Sequence, residues 1–194
     1  AVALAVDRAG STAAFVARMN RRAAELGMTR TRFVTPNGLT YGKGPHDTTT
    51  ARDLAKLSVV LCGMPEALRF TAAKRHVLRR PLKPMEVLNH NYLLDSFPGC
   101  DGLKTGWTEA ADASIVTTAT AGEHRVIAVV LGCQSPLGAK VDLCECFLLC
   151  LIFYNDEVPA LLVSTGWCLK CNVEAFFNNR TLNWAIKVQA LSDA

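Results

Sequence analysis

Three β-type segments follow one another between residues 102 and 131, behind a first half written in helical periodicity, and few folds accept that order. Gly102–Thr108 reads as one short strand, Ser114–Thr120 is dense in β-branched residues, and Val126–Leu131 is a continuous apolar run. The residues from Ala121 to His124, with Gly122 among them, separate the last two as a hairpin turn. Upstream, Ser11 is placed to cap a helix on which Phe15, Met19, Ala23 and Leu26 recur at helical spacing, while Arg18, Arg21, Arg22 and Glu25 take the opposite face. Gly27 ends that helix, and Pro36, Asn37 and Gly38 form a strong turn signal. Thr49 or Thr50 then caps a second helix through Leu54, Leu57 and Leu61, stopped by Gly63 and Pro65. Pro81, Pro84 and Pro98 forbid a long helix in the stretch before the strands. Helices followed by successive antiparallel strands predict an α+β fold, with residues 141–153 as a closing helix on the sheet.

One domain is the default for 194 residues, half of them hydrophobic and a fifth charged. The net charge of +4 is a mild bias. Much of it gathers in Arg69, Lys74, Arg75, Arg79, Arg80 and Lys83, which reads as a solvated hairpin. Because Phe70 is the one Phe, Tyr or Trp among these cations, too few aromatics interleave to stack on bases, and a nucleic-acid partner is not expected. Ala1–Ala9 is apolar but broken by Asp7 and Arg8, with no basic start, so it reads as the inside of a helix rather than a secretory signal, in a chain cut from something longer. No apolar run reaches the ~20 residues that span a bilayer.

The composition changes near Lys140, from Ala, Arg, Thr and Gly to Cys, Phe, Asn and Leu, so residues 1–140 and 141–194 are read as distinct parts. Cys144, Cys146, Cys150, Cys168 and Cys171 crowd the second. Trp167, Cys168 and Cys171 have the spacing of a Cys-x-x-Cys redox motif, but too little chain follows to complete a fold around it. A zinc site from these cysteines would need ligands from poor spacing on an apolar helix. Buried or incidental thiols are the expectation for them, and no metal is expected. His46, His76, His90 and His124 show no ligand spacing and are expected in exposed loops.

From Ala1 to about Lys140 the chain resembles the serine D-alanyl-D-alanine carboxypeptidases, the low-molecular-mass penicillin-binding proteins. The matching pieces stand in family order: AVALA at 1–5, FVARMN at 15–20, ELGM at 25–28, FVTPNGL at 33–39, TARDLA at 50–55, NHNYLL at 89–94, PGCDGLKTGWT at 98–108 and IAVVLG at 127–132. The resemblance implies a partial penicillin-binding or β-lactamase-type transpeptidase domain. In that family Lys-Thr-Gly lies on an edge strand bordering the active site. It therefore implies that Lys104, Thr105 and Gly106 bind substrate and that the backbone N–H of Trp107 donates to the oxyanion. Lys104 would supply fixed positive charge, Thr105 a hydroxyl for the terminal carboxylate of D-alanyl-D-alanine, and Gly106 close approach of substrate backbone. The implied partners are peptidoglycan stem peptides and β-lactams, the implied compartment is outside the cytoplasmic membrane, and no cofactor is implied.

The same resemblance exposes departures. The family's Ser-x-x-Lys nucleophile motif and its Ser-x-Asn loop are not in this sequence. Thr71 and Lys74 imitate the first only by coincidence, and Asn89 and Asn91 are expected to bond loop backbone. The chain is accordingly expected to be inactive alone, as a fragment or as a non-catalytic binding module. Asp112 stands where the family has glycine, a departure expected to perturb the turn after Thr108. The strand Val126–Leu131 is paired in the family by strands from a part this sequence lacks. It would become an open edge unless the tail covers it, and marginal stability is expected.

Overall fold

The computed structural model of the chain describes residues 1–39, 44–122, 124–133, 172–179 and 182–188. The chain divides into two compact units, Ala1–Leu57 and Ser58–Ala194.

The first unit holds α1 (Val2–Ala9), α2 (Thr12–Glu25) and the start of α3 (Ala51–Cys62). Ser11 caps α2 as its sequence position predicts, its hydroxyl accepting the Ala14 N–H at 3.1 Å, and Gly27 follows the last turn in the left-handed conformation, φ 67°. Thr50 supplies the cap of α3, accepting from the Asp53 N–H at 3.2 Å. The loop between the helices has little regular structure, so side chains satisfy its backbone. Asn20 exchanges two 2.8 Å bonds with the N–H and C=O of Phe33. Asp47 accepts the N–H groups of Val34 and Thr35 at 2.6 and 2.9 Å. Buried Asp53 accepts the Arg30 N–H and the Thr31 hydroxyl, each at 2.9 Å, and meets Lys56 at 3.4 Å.

In the second unit α4 (Pro65–Thr71) starts with proline at its first turn. The residues that halted the second predicted helix thus also begin another, which the irregular pattern around them concealed. A two-stranded hairpin follows, β1 (Arg75–Leu78) paired antiparallel with β2 (Met85–Leu88), and then the short α5 (Leu93–Ser96). From Arg75 to Lys83 the basic stretch is an exposed hairpin, as expected, while Arg69 lies on α4 and Lys74 just before β1. His76 lies on β1 rather than in a loop, and His124 opens β5 rather than lying in the turn.

The main sheet runs β3 (Cys100–Thr108), β4 (Asp112–Ala121), β5 (His124–Cys133), β6 (Asn172–Asn179) and β7 (Leu182–Val188), neighbours in that order and all antiparallel. The three strands read from sequence are all present, each extended by one or more residues. Their middle forms the core: Ile127, Ala128, Val129 and Val130 on β5, with Thr117 and Thr118 on β4, are wholly buried. Because Ile127 to Val130 are buried without alternation, β5 is covered on both faces, which is why its sequence reads as a continuous apolar run. The tail supplies β6 along the far edge of β5, from Arg125 opposite Asn178 to Leu131 opposite Asn172. That edge is therefore paired. The closing helix expected at 141–153 lies outside the described residues.

Candidate functional site

Every sequence-predicted site residue falls on β3, the first strand of the sheet, whose only neighbour among the described residues is β4. Lys104, Thr105, Gly106 and Trp107 stand opposite Val116, Ile115, Ser114 and Ala113. Lys104 and Gly106 occupy one face of the strand by alternation, Thr105 and Trp107 the other. Lys104 and Gly106 are exposed, Thr105 half-buried, and Trp107 64% exposed. A Cβ added to Gly106 would meet nothing within 4 Å, so its backbone is open to an approaching molecule. The Lys104 ammonium bends back to the carbonyl of Thr105, and no carboxylate pairs with it among the described residues. That carbonyl is thus taken by a side chain. Since successive peptide groups of a strand point to alternate edges, Trp107 presents its N–H to the same edge as Thr105.

The N-terminal half of β3 is anchored from several directions. The Thr71 hydroxyl donates to the Asp101 carbonyl at 2.8 Å, and the Asn91 amide donates to the Gly102 carbonyl at 3.1 Å, beside the Thr117 hydroxyl at 2.7 Å. Asn91 also accepts the Leu93 N–H at 3.1 Å, and Asn89 donates to the carbonyls of Thr71 and Ala73, both at 3.1 Å. The two asparagines bond backbone, as read from sequence, but only the Ala73 carbonyl among these partners is in a loop; Thr71 ends α4, Leu93 opens α5 and Gly102 lies on β3. Thr71 is engaged by Asp101 and Lys74 by Asp95 at 2.9 Å, so the Thr71–Lys74 imitation assembles no nucleophile and base.

A further anchor was not legible in sequence. The Arg125 guanidinium on β5 reaches across β4 to the Asp101 carboxylate at 2.8 Å and the Thr118 hydroxyl at 2.9 Å. The hydrogen bond and charge of Asp101 hold the Arg125 pKa above its ordinary value, although partial burial opposes this. Cys62 lies 3.7 Å from the same Thr118 hydroxyl. Burial pushes its thiol pKa up, against the lowering effect of that hydrogen bond and of Arg125. Strand register brings Asp101, Thr118 and Arg125 together and the end of α3 adds Cys62, so spacing along the chain carried no signal.

Cys144, Cys146, Cys150, Cys168 and Cys171 lie outside the described residues, where the redox and zinc readings also fall. Among the described residues no group of three His, Cys, Asp or Glu could hold a metal ion. No described helix is long and apolar enough to cross a membrane.

An α+β domain with an anchored edge strand carrying Lys-Thr-Gly defines the penicillin-binding class of fold. Residues 1–135 match the family model described as D-alanyl-D-alanine carboxypeptidase, and the chain belongs to that family. It is 37% identical over 136 residues to the D-alanyl-D-alanine carboxypeptidase DacF of Bacillus subtilis, covering 70% of this chain and 34% of that protein. Against DacC of Escherichia coli it is 38% identical over 136 residues, 69% of this chain and 32% of the relative. The chain thus spans about a third of the length of the curated relatives it matches. Among solved structures, penicillin-binding protein D2 of Listeria monocytogenes in its cefotaxime-bound form superposes with a TM-score of 0.63 at 33% identity, over 69% of this chain and 53% of that one. The carboxypeptidase DacD of Francisella tularensis, 23% identical, shares the fold over 96% of this chain and 58% of its own, TM-score 0.70.

Proposed function

We propose that this chain carries the substrate-binding strand of a serine D-alanyl-D-alanine carboxypeptidase that trims the terminal D-alanine of peptidoglycan stem peptides through an acyl-enzyme. The observation that carries this reading is the edge of β3 that no strand among the described residues pairs, where Lys104, Gly106 and Trp107 are exposed together and the Cβ position of Gly106 has no described neighbour within 4 Å. An extended peptide would add to that edge as a further strand, bonding backbone to backbone. Its terminal carboxylate would lie against the Lys104 ammonium and the Thr105 hydroxyl, released from its present partner in the case of Lys104. As the scissile carbonyl becomes tetrahedral, the Trp107 N–H would donate to the developing oxyanion. Names of relatives and the ampicillin- and cefotaxime-bound forms of Listeria penicillin-binding protein D2 support the same ligand classes. The place of action would be outside the cytoplasmic membrane.

Acyl transfer also requires an activated serine, and the sequence holds no Ser-x-x-Lys. The chain by itself therefore binds without turnover. Two experiments test this. Incubation with excess penicillin followed by intact mass should give no covalent adduct; a single stable adduct on a serine or threonine would show a complete site and overturn the assignment. Titration of the isotopically labelled chain with a peptide ending in D-Ala-D-Ala should shift the amides of 104–107 and leave the peptide intact. Thr105→Val should weaken that binding about tenfold, the value of one hydrogen bond to a charged group. No amide shift at any peptide concentration would remove the docking role.

A further inference from the structure

We propose that the β1–β2 hairpin is a docking element for an anionic lipid surface, with Leu82 entering the interface between headgroups held by Arg79, Arg80 and Lys83. The hairpin stands out from its unit: every residue of β1 is exposed, and of β2 only Val87 is half-covered. Scattered apolar side chains on a surface are ordinary, but here Val77, Leu78, Leu82, Met85 and Leu88 are all exposed on one two-stranded element. Leu82, at the tip, is 100% exposed. Pro81 and Pro84 flank Leu82 and Lys83 and restrict the loop, so presenting the tip outward costs little conformational entropy on binding.

The charges are sorted in the same direction. At the root of the hairpin, cations are neutralised: Lys74 meets Asp95 at 2.9 Å and Arg75 lies 3.8 Å from Glu86. At the tip, Arg79, Arg80 and Lys83 have no carboxylate partner among the described residues. A tip that combines unpaired cations with an apolar wedge matches the two requirements of interfacial membrane binding, attraction to anionic headgroups and burial of hydrocarbon. An anionic polymer would use the cations and leave Leu82 in water. A single-stranded nucleic acid would ask for stacking aromatics, of which residues 75–88 have none. Charge and apolarity together thus favour lipid.

The test is co-sedimentation of the full chain with vesicles of phosphatidylcholine alone and of phosphatidylcholine with phosphatidylglycerol, at low and high salt. The chain should bind the anionic vesicles, bind the neutral ones far less, and release in high salt. Each of Arg79→Gln, Arg80→Gln and Lys83→Gln should lower the partition about fivefold. Leu82→Ser should lower it about tenfold while leaving retention on a heparin column unchanged, which separates lipid from polymer. Equal binding to both vesicle types, or tip variants that partition like the parent, would overturn the proposal. So would Leu82→Ser at parental vesicle affinity with the charge variants losing heparin and vesicles alike, since the partner would then be a polyanion. The variants lie on a solvent-facing loop, and an unchanged circular dichroism spectrum excludes misfolding as the cause.

Discussion

At the scale of single residues, backbone conformation decides most of what can be changed around β3. Asp112 opens β4 with φ 53°, a left-handed conformation that only glycine adopts without strain. Asp112 pairs with Thr108 across the turn and holds this conformation as strain. Asp112→Gly should raise stability by up to about 1 kcal/mol, less than the left-handed penalty because glycine loses more chain entropy on folding. The midpoint of urea unfolding measures this; an unchanged or lowered midpoint would refute it. Gly99 is the opposite case: φ is 77°, its carbonyl accepts the Thr120 N–H at 3.0 Å, and an added Cβ would press on the Thr120 carbonyl oxygen. Cys62 supplies a pH signature. Burial raises its folded-state thiol pKa above the ordinary 9.0, so the fold prefers the protonated thiol. Its contribution is fully present below the unfolded-state value and is lost as pH rises above about 9 towards the folded pKa. Stability of the parent should thus fall between pH 8 and 10 more steeply than that of Cys62→Ala, and parallel slopes in denaturation at several pH values would exclude the effect.

At the scale of elements, the two strands that flank β4 are treated differently. β3 carries exposed Lys104, Gly106 and Trp107, with its N-terminal half anchored by Thr71, Asn91 and Arg125. β5 could not be left in the same condition, since Ile127 to Val130 are wholly buried and an uncovered apolar edge invites pairing with other chains. β6 occupies that position. Glu174→Pro, opposite Val129, removes a ladder donor to β5 from β6 and should release the pairing. The expected result is concentration-dependent aggregation, seen as rising light scattering at micromolar protein. A variant that stays monodisperse would show that β6 is not what protects β5.

For the whole molecule, the expectation is marginal stability: a broad thermal transition with little recovery on cooling. The chain spans about a third of its curated relatives, and in small proteins the surface buried per residue is low. A sharp, reversible melt by circular dichroism would show that the two units and the tail form a self-sufficient protein. What the sequence determined by itself is local. Ser11 and Thr50 as caps, the proline-bounded irregular stretch, the β-branched strands and the Lys-Thr-Gly run all act through nearest neighbours and backbone preference, so their order along the chain was enough to read them. Even α4 was hidden only because Pro65 serves as a stop and a start at once. What tertiary structure alone decided is which distant groups meet. The Asp101–Arg125–Thr118 anchor with Cys62 beside it depends on register across three strands. The pairing of β6 with β5 joins segments separated by residues 134–171, and the energy that selects a long-range partner, hydrogen bonds exchanged across a ladder and apolar side chains withdrawn from water, belongs to the assembled sheet and to no single segment.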